Sequence, residues 1–274
     1  MFERELEIAE RAARAAGVAA MQYYGTTDAQ AKADRSPVTA ADHASNDVIL
    51  AALHDAFPSD VILSEESTDS RERLLARRVW IVDPLDGTRE FLAANGEFSV
   101  MIGLVLDGAA VLGVVHLPAT GVTYLAATGG GAWAATDGTR TRLQCRPADL
   151  SALRLVGSRS HPDPLVEQLR TELGIHDVEP CGSVGVKCAR IAEGRRDLYV
   201  HPVPYLKEWD TCAPEVVLRE AGGWVSDCRG DALRYNKADP AQPFGIVACT
   251  PDVVAMVLPP LRRLGRFPAH AATR

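Results

Sequence analysis

The stretch that most constrains the fold runs from Trp80 to Phe91 and reads Trp-Ile-Val-Asp-Pro-Leu-Asp-Gly-Thr-Arg-Glu-Phe. The apolar run 79–82 predicts a buried strand, and it is followed at once by two carboxylates, Asp83 and Asp86, either side of Pro84 and Leu85. Proline fixes φ and removes a donor, while Gly87 lets the backbone turn tightly and approach a bound group. Asp83 and Asp86 can then point into one space, with the Leu85 carbonyl between them. Such oxygen ligands suit a hard cation such as Mg²⁺, which takes a few carboxylates and completes its shell with water and substrate phosphate. A helix beginning near Thr88 would turn its free N–H groups toward the same space and favour a phosphate there. A turn of this composition can also merely cap a helix, so the remaining segments decide.

Along the first half, small and apolar residues at helical spacing over 2–24 predict an amphipathic packing helix ended by Gly25. After a polar loop at 32–37, a second helix is predicted over about 42–57, with Asp42 as its N-cap candidate. A short strand at 61–63 ends in Ser64, Glu65 and Glu66. Two strands that each end in a carboxylate, Glu65 and Asp83, can deliver both to one sheet edge, where ligands commonly bind. The segment 67–78 carries too many charges to read as core. Strands at 98–106 and 109–117 meet at Asp107-Gly108, a strong hairpin signal. Further strands at 122–127 and 131–135 extend a largely antiparallel meander.

The chain turns polar around 142–149, which places a boundary at 144/145 between an N-terminal α+β half (1–144) and a C-terminal α/β half (145–274). The second half alternates strand 153–157, helix 164–173, helix 184–193, strand 198–201, helix 211–221, strands at 224–225 and 245–249, and a last helix at 251–258. Glu208, Trp209 and Asp210 precede the helix at 211, with Asp210 in the usual N-cap position and Pro214 in the first turn. Residues 267–274 have no apolar period and read as a frayed end.

The chain has 274 residues and a net charge of −7. Long polyanions such as duplex DNA require a basic footprint and are therefore unsuited as partners. A small phosphorylated substrate remains compatible, given local cations or metals. Six cysteines, at 145, 181, 188, 212, 228 and 249, show no zinc-type spacing and read as reduced core thiols. No secretory leader and no transmembrane segment is visible, which points to the cytoplasm. Lysine occurs only at 32, 187, 207 and 237.

Taken together, Asp42, Glu65, Asp83, Asp86 and Asp210 resemble the metal-dependent, lithium-sensitive phosphatases of the inositol monophosphatase superfamily. The matching pieces are Pro-Val-Thr-Ala-Ala-Asp (37–42), Ser-Glu-Glu (64–66), Trp-Ile-Val-Asp-Pro-Leu-Asp-Gly-Thr (80–88), Trp-Asp-Thr-Cys-Ala (209–213) and Glu-Ala-Gly-Gly (220–223). The resemblance implies a layered αβαβα sugar-phosphatase fold. It implies that Glu65, Asp83, the Leu85 carbonyl, Asp86 and Asp210 hold two or three Mg²⁺ ions, with Glu65 also serving catalysis. Asp42 and Thr88 would orient and deprotonate the attacking water. Direct water attack, without a phosphoenzyme, agrees with the lack of a Cys or Ser nucleophile motif.

Within the superfamily the chain is similar to the CysQ-type 3′(2′),5′-bisphosphate nucleotidases of sulfate assimilation. That similarity rests on 32–42, on Asp83 to Phe91 continuing through Asn95-Gly96-Glu97-Phe98, on Ser158-Arg159-Ser160-His161, and on Gly182-Ser183 with Lys187. It implies removal of the 3′-phosphate of 3′-phosphoadenosine 5′-phosphate. The substrate would be bound by Gly87, Thr88, Ser158, Arg159, Gly182, Ser183, Lys187, His201 and Asp210, with Lys187, Arg159 and Arg190 as candidate cations for the second phosphate. His201 stands where some nucleotidases carry arginine, and residues 233–236 could line the base or sugar pocket. The alternatives are the same chemistry on inositol 1-phosphate or fructose 1,6-bisphosphate, and a non-catalytic metal- or nucleotide-binding regulator. A homodimer is implied by the same resemblance.

Overall fold

The computed structural model describes residues 2–26, 30–31, 37–203 and 205–267, so most of the polar loop at 32–37 and of the 267–274 end lies outside the described residues. Among these residues, α1 (Glu3–Met21) leads to a two-stranded ribbon of β1 (Gln30–Ala31) and β2 (Pro37–Val38), then to α2 (Ala40–Ala56). A seven-stranded sheet follows in the order β3 (Val61–Ser64), β4 (Arg78–Asp86), β5 (Ser99–Leu106), β6 (Ala109–Leu117), β7 (Val122–Ala127), β8 (Ala132–Thr136) and β9 (Thr139–Leu143). The pair β3 and β4 is parallel and the rest antiparallel. The short α3 (Thr88–Leu92) leaves the end of β4.

After β10 (Arg154–Ser158) come α4 (Pro164–Glu172), β11 (Asp177–Cys181), α5 (Val184–Ala192), β12 (Leu198–His201), α6 (Glu208–Glu220), β13 (Trp224–Ser226), β14 (Ile246–Cys249) and α7 (Val254–Gly265). Their strands form a second, mixed sheet in the order β11-β10-β12-β14-β13. The chain passes from one sheet to the other between Leu143 and Arg154.

Alternation along the strands explains the layering, because successive side chains point to opposite faces. From β4, Trp80 and Val82 pack with Ala9, Ala13, Ile49 and Leu53 of α1 and α2. Their neighbours Val79 and Ile81 join Val186, Cys188 and Val217 of α5 and α6 on the other face. The same central cluster takes in Tyr199, Ile246 and Ala248 of the second sheet. Leu198, Val200 and Val247 point the opposite way, toward Leu169 of α4 and Val257 and Leu261 of α7. The order is therefore helix pair, sheet, helix pair, sheet, helix pair, which is the αβαβα arrangement. Each fully buried aliphatic side chain contributes roughly 1.5–3 kcal/mol.

Glycines set the closest approach. Gly103 on β5 and Gly113 on β6 are cross-strand partners. A Cβ at Gly113 would lie 2.2 Å from the Ala213 carbonyl oxygen, and one at Gly103 would lie 2.4 Å from Cys212 Sγ. α6 thus rests in a notch that only glycine leaves open, and this seats its first turn beside the end of β4.

Several elements depart from the sequence reading. α2 begins at Ala40 with Thr39 as N-cap, so Asp42 is the third helical residue. Asp42 completes a capping box, its Oδ2 accepting from Thr39 N and Oγ1 at 2.8 Å each. In α6 the N-cap is Lys207, which puts Asp210 inside the first turn and Pro214 in the helix interior. The Asp210 carbonyl consequently has no helical N–H to accept from at position 214. β9 has four exposed residues out of five, and β11 contains Pro180, which an edge strand tolerates; neither shows the alternation that marks a strand. The last helix runs past Pro259 and Pro260 to Gly265, held by the burial of Leu258 and Leu261. Arg73, in the segment read as uniformly solvated, is 2% exposed. All six cysteines are free, and five are buried.

Candidate active site

β4 continues through the Asp-Pro-Leu-Asp turn, with its register against β5 shifting between Asp83 and Asp86. That irregularity, a device that re-aims side chains, puts carboxylates three residues apart on the same side. The Ser45 hydroxyl donates to the Pro84 carbonyl at 2.7 Å, and Leu85 N donates to Asp83 Oδ1 at 3.0 Å, so the turn is fixed from α2 and from within. Carboxylate oxygens of Asp83, Asp86 and Asp210 lie within 4.8 Å of one another. Asp83 is 1% and Asp86 8% exposed, with Asp210 at the rim.

Burial, reinforced by the charges of Glu65, Asp86 and Asp210, holds the Asp83 carboxyl well above the usual carboxylate range. Burial and then Asp86 and Glu65 do the same to Asp210. Asp86 is also raised by burial, but the Lys187 ammonium, the Ser183 hydroxyl and Gly185 N oppose the shift. Its Oδ2 accepts from Ser183 Oγ at 2.5 Å and from Gly185 N at 3.0 Å, at the first turn of α5. Glu65 follows β3, and its N–H donates to the Val82 carbonyl at 3.2 Å, which keeps it alongside the end of β4. Buried acids this close together are short of positive charge, and an all-oxygen donor set in that state fits a hard divalent cation.

Beside the cluster, the Thr88 hydroxyl donates to Asp42 Oδ1 at 3.3 Å and lies 3.4 Å from the Leu85 carbonyl oxygen. Gly87, at φ 98°, makes the turn that brings Thr88 there, and the Glu97 carbonyl oxygen would lie 3.0 Å from any Cβ at that position. The first turns of α2, α5 and α6 therefore all meet the cluster, and their amide dipoles favour negative charge there.

The residues expected to bind substrate are placed unequally. Gly182 N donates to Glu97 Oε2 at 2.8 Å, and Arg159 grips the same carboxylate at 2.9 and 2.7 Å. Ser158 Oγ accepts from His161 N at 3.2 Å. Lys187 is 3% exposed, donates to the Cys181 and Gly182 carbonyls at 3.4 and 3.1 Å, and sits over the Tyr199 ring. It therefore stands behind Asp86 and the 181–183 turn rather than at the surface. His201 is 8% exposed, and burial, with Lys187 and His161 nearby, lowers it to about 4, so it is neutral. Arg190 makes its ion pairs with Glu179 and Glu193, on the outer side of α5. Within 233–236, Leu233 and Tyr235 belong to the central core, and Asn236 hydrogen-bonds Arg73. The alternation of apolar and polar residues there was the available signal.

The sequence matches the profile of the inositol monophosphatase family across residues 2–258. The chain belongs to that family. Its relatives include the 3′(2′),5′-bisphosphate nucleotidase CysQ of Escherichia coli (strain K12), 43% identical over 82% of this chain and 91% of the relative. The 3′-phosphoadenosine 5′-phosphate phosphatase of Mycobacterium leprae (strain TN) is 36% identical over 82% of each chain. Among solved structures, CysQ from Bacteroides thetaiotaomicron, a bacterial member of the family, superposes with a TM-score of 0.77 at 33% identity, covering 90% of this chain and 98% of that one. The extragenic suppressor protein suhB from Bartonella henselae gives 0.80 at 25% identity, covering 95% and 99%. The chain is a phosphatase of this family, and its acid cluster is suited to metal. No helix among the described residues is long and apolar enough to cross a membrane.

Proposed function

We propose that this chain is a Mg²⁺-dependent 3′(2′),5′-bisphosphate nucleotidase that hydrolyses 3′-phosphoadenosine 5′-phosphate to AMP and phosphate. The observation that carries the substrate is the 43% identity to a CysQ nucleotidase over 82% of the chain, spanning both sheets. Glu65, Asp83, the Leu85 carbonyl, Asp86 and Asp210 would hold the metal. Bound there, divalent ions neutralise the phosphate dianion and acidify water in the site.

The protein's own groups do the rest. Asp42 Oδ2 is anchored by Thr39, which leaves Oδ1 toward Thr88. The Thr88 hydroxyl takes a proton from the attacking water and passes its own to Asp42 Oδ1, so the nucleophile is oriented as it is deprotonated. Water oxygen bonds to phosphorus as the bond to the ribose 3′-oxygen breaks. That oxygen takes a proton from a solvent water to leave as the hydroxyl of AMP, and Asp42 returns its proton to solvent, which closes the balance. Lys187, Ser183 and Gly185 N favour the ionised form of Asp86 throughout. Ser158, Gly182, Ser183 and His201 border the nucleotide, Gly87 and Thr88 face the scissile phosphate, and Arg159 shapes this side through Glu97. A cytoplasmic homodimer acting in sulfate assimilation completes the reading.

The test is phosphate release with Mg²⁺ from 3′-phosphoadenosine 5′-phosphate, inositol 1-phosphate and fructose 1,6-bisphosphate side by side. A preference of ~100-fold or more in kcat/KM for the nucleotide is expected, about 2.7 kcal/mol of discrimination. Comparable rates on all three would refute the nucleotide assignment.

A further inference from the structure

Away from the acid cluster, three segments distant in sequence are joined by a buried polar bridge. Arg73 lies on the excursion between β3 and β4, eight residues after Glu65. Its guanidinium binds Asp69 at 3.1 and 2.7 Å, and its Nη1 donates to Asn236 Oδ1 at 3.0 Å and to the Lys237 carbonyl at 2.9 Å. The Asn236 amide answers by donating to the Arg73 and Ala76 carbonyls at 2.8 and 3.2 Å. Asn236 holds a left-handed φ of 58°. This conformation aims two successive N–H groups, of Asn236 and Lys237, at the Glu208 carboxylate at 2.6 and 2.9 Å. Glu208 is 0% exposed, opens α6, and stands two residues before Asp210. Lys237 Nζ lies 3.4 Å from the same carboxylate.

The bridge therefore ties the segment that leaves Glu65 to the helix turn that carries Asp210. Those two acids come from different sheets' connections. The Val82 carbonyl fixes the Glu65 backbone and the glycine notch seats α6, and the bridge adds a side-chain tie between the two segments beyond both acids. Burying a guanidinium and a carboxylate is costly unless every polar atom is satisfied, and here each has several partners of good geometry. Such an arrangement fixes position rather than adding much stability.

We infer that Arg73, Asn236 and Glu208 are positioning residues that set the spacing between Glu65 and Asp210, and so the affinity of the site for its divalent cation. This rests on reading the acid cluster as a metal centre. Asn236→Gly removes the bridging amide without straining the left-handed backbone. Arg73→Lys keeps the charge beside Asp69 but loses the fork that reaches both Asn236 and Lys237. Arg154→Met, which breaks the Arg154–Asp197 pair in the second sheet, is the control for a loss of stability elsewhere.

Mg²⁺ binding is measured by calorimetry without substrate, with melting temperature in EDTA and kcat and KM at saturating Mg²⁺ alongside. Both bridge variants are expected to weaken Mg²⁺ binding about 10-fold or more, in the range seen for groups that orient metal ligands. Their kcat should return to within about threefold of the unaltered enzyme at saturating Mg²⁺, with the substrate KM unchanged. Mg²⁺ affinity within about twofold of the unaltered protein, with a melting temperature lowered as in Arg154→Met, would overturn the inference alone. An unaltered protein that binds no Mg²⁺ would overturn the metal reading, and the inference with it.

Discussion

Replacing Asp83 by asparagine separates the energetic cost of the acid cluster from its use. Asp83 is 1% exposed, and its carboxylate oxygen lies within 4.8 Å of oxygens of Asp86 and Asp210. Two like charges at that distance repel by about 3.5 kcal/mol at an effective dielectric of about 20. Burial and the neighbouring acids raise the proton affinity of Asp83, so protonation relieves part of this repulsion and the remainder destabilises the metal-free fold. Asparagine keeps the shape and retains an oxygen for the 3.0 Å bond from Leu85 N. In EDTA, Asp83→Asn should therefore melt higher than the unaltered protein, at about 2–4 °C for each kcal/mol of repulsion removed in a chain of this size. Mg²⁺ at a hundredfold excess over its Kd should add about 2.7 kcal/mol to the unaltered protein and far less to the variant. Phosphate release should fall at least ~10³-fold, about 4 kcal/mol of lost transition-state stabilisation. Scanning calorimetry with and without Mg²⁺ reads all but the last. A variant that melts below the unaltered protein in EDTA would refute the account, because removing the charge would then have removed a support.

The same acids set a pH dependence. A carboxyl whose folded pKa is raised costs no stability below its unfolded value, near 4, and progressively more as pH rises through the folded value; burial raises both Asp83 and Asp210. The stability advantage of Asp83→Asn in EDTA should accordingly grow from about pH 4 upward, and denaturant titrations showing a flat difference would contradict this. Thr88→Ala should lower kcat about 10²-fold or more while calorimetric Mg²⁺ affinity stays level, and Thr88→Ser should restore most of the rate; equal losses in both would exclude the hydroxyl relay. Gly113→Ala places a Cβ 2.2 Å from the Ala213 carbonyl oxygen. It should cost about 1–3 kcal/mol or more in denaturant unfolding and weaken Mg²⁺ binding by displacing Asp210, and an unchanged Mg²⁺ affinity would count against the notch.

Legibility in the sequence followed the physics of each feature. Apolar runs meeting at the Asp107-Gly108 hairpin signal located β5 and β6, and the runs are continuous because Val100, Ile102 and Leu104 face one helix layer while Met101 and Val105 face the other. The Asp-Pro-Leu-Asp-Gly-Thr turn was readable because proline, glycine and two acids each have a local reason to be there. The edge strands β9 and β11 were not, since Thr139–Leu143 is almost wholly exposed and Pro180 argues against a strand. The helix starts of α2 and α6 lay two to three residues earlier than expected, because Asp42 and Asp210 resemble N-caps yet sit at the third helical position. Lys187 read as a candidate cation for the second phosphate, and only packing reveals that its stem and ammonium are enclosed beneath Tyr199 and the 181–183 turn. The Arg73–Asn236–Glu208 bridge left no local signal, being defined by separations of 163 and 28 residues.

The glycine notch has a consequence for how the protein is made. Asp83 and Asp86 belong to a sheet completed by Leu143, whereas Asp210 arrives on a helix that docks against Gly103 and Gly113 of that sheet. During synthesis the N-terminal part emerges first, so a nascent chain holds an open groove across β5 and β6, floored by two glycines, until α6 has left the ribosome. The acids of β4 wait beside it unclosed. If the cluster holds metal as proposed, full affinity would belong to the finished chain, and a truncated product ending before α6 would carry Asp83 and Asp86 without Asp210.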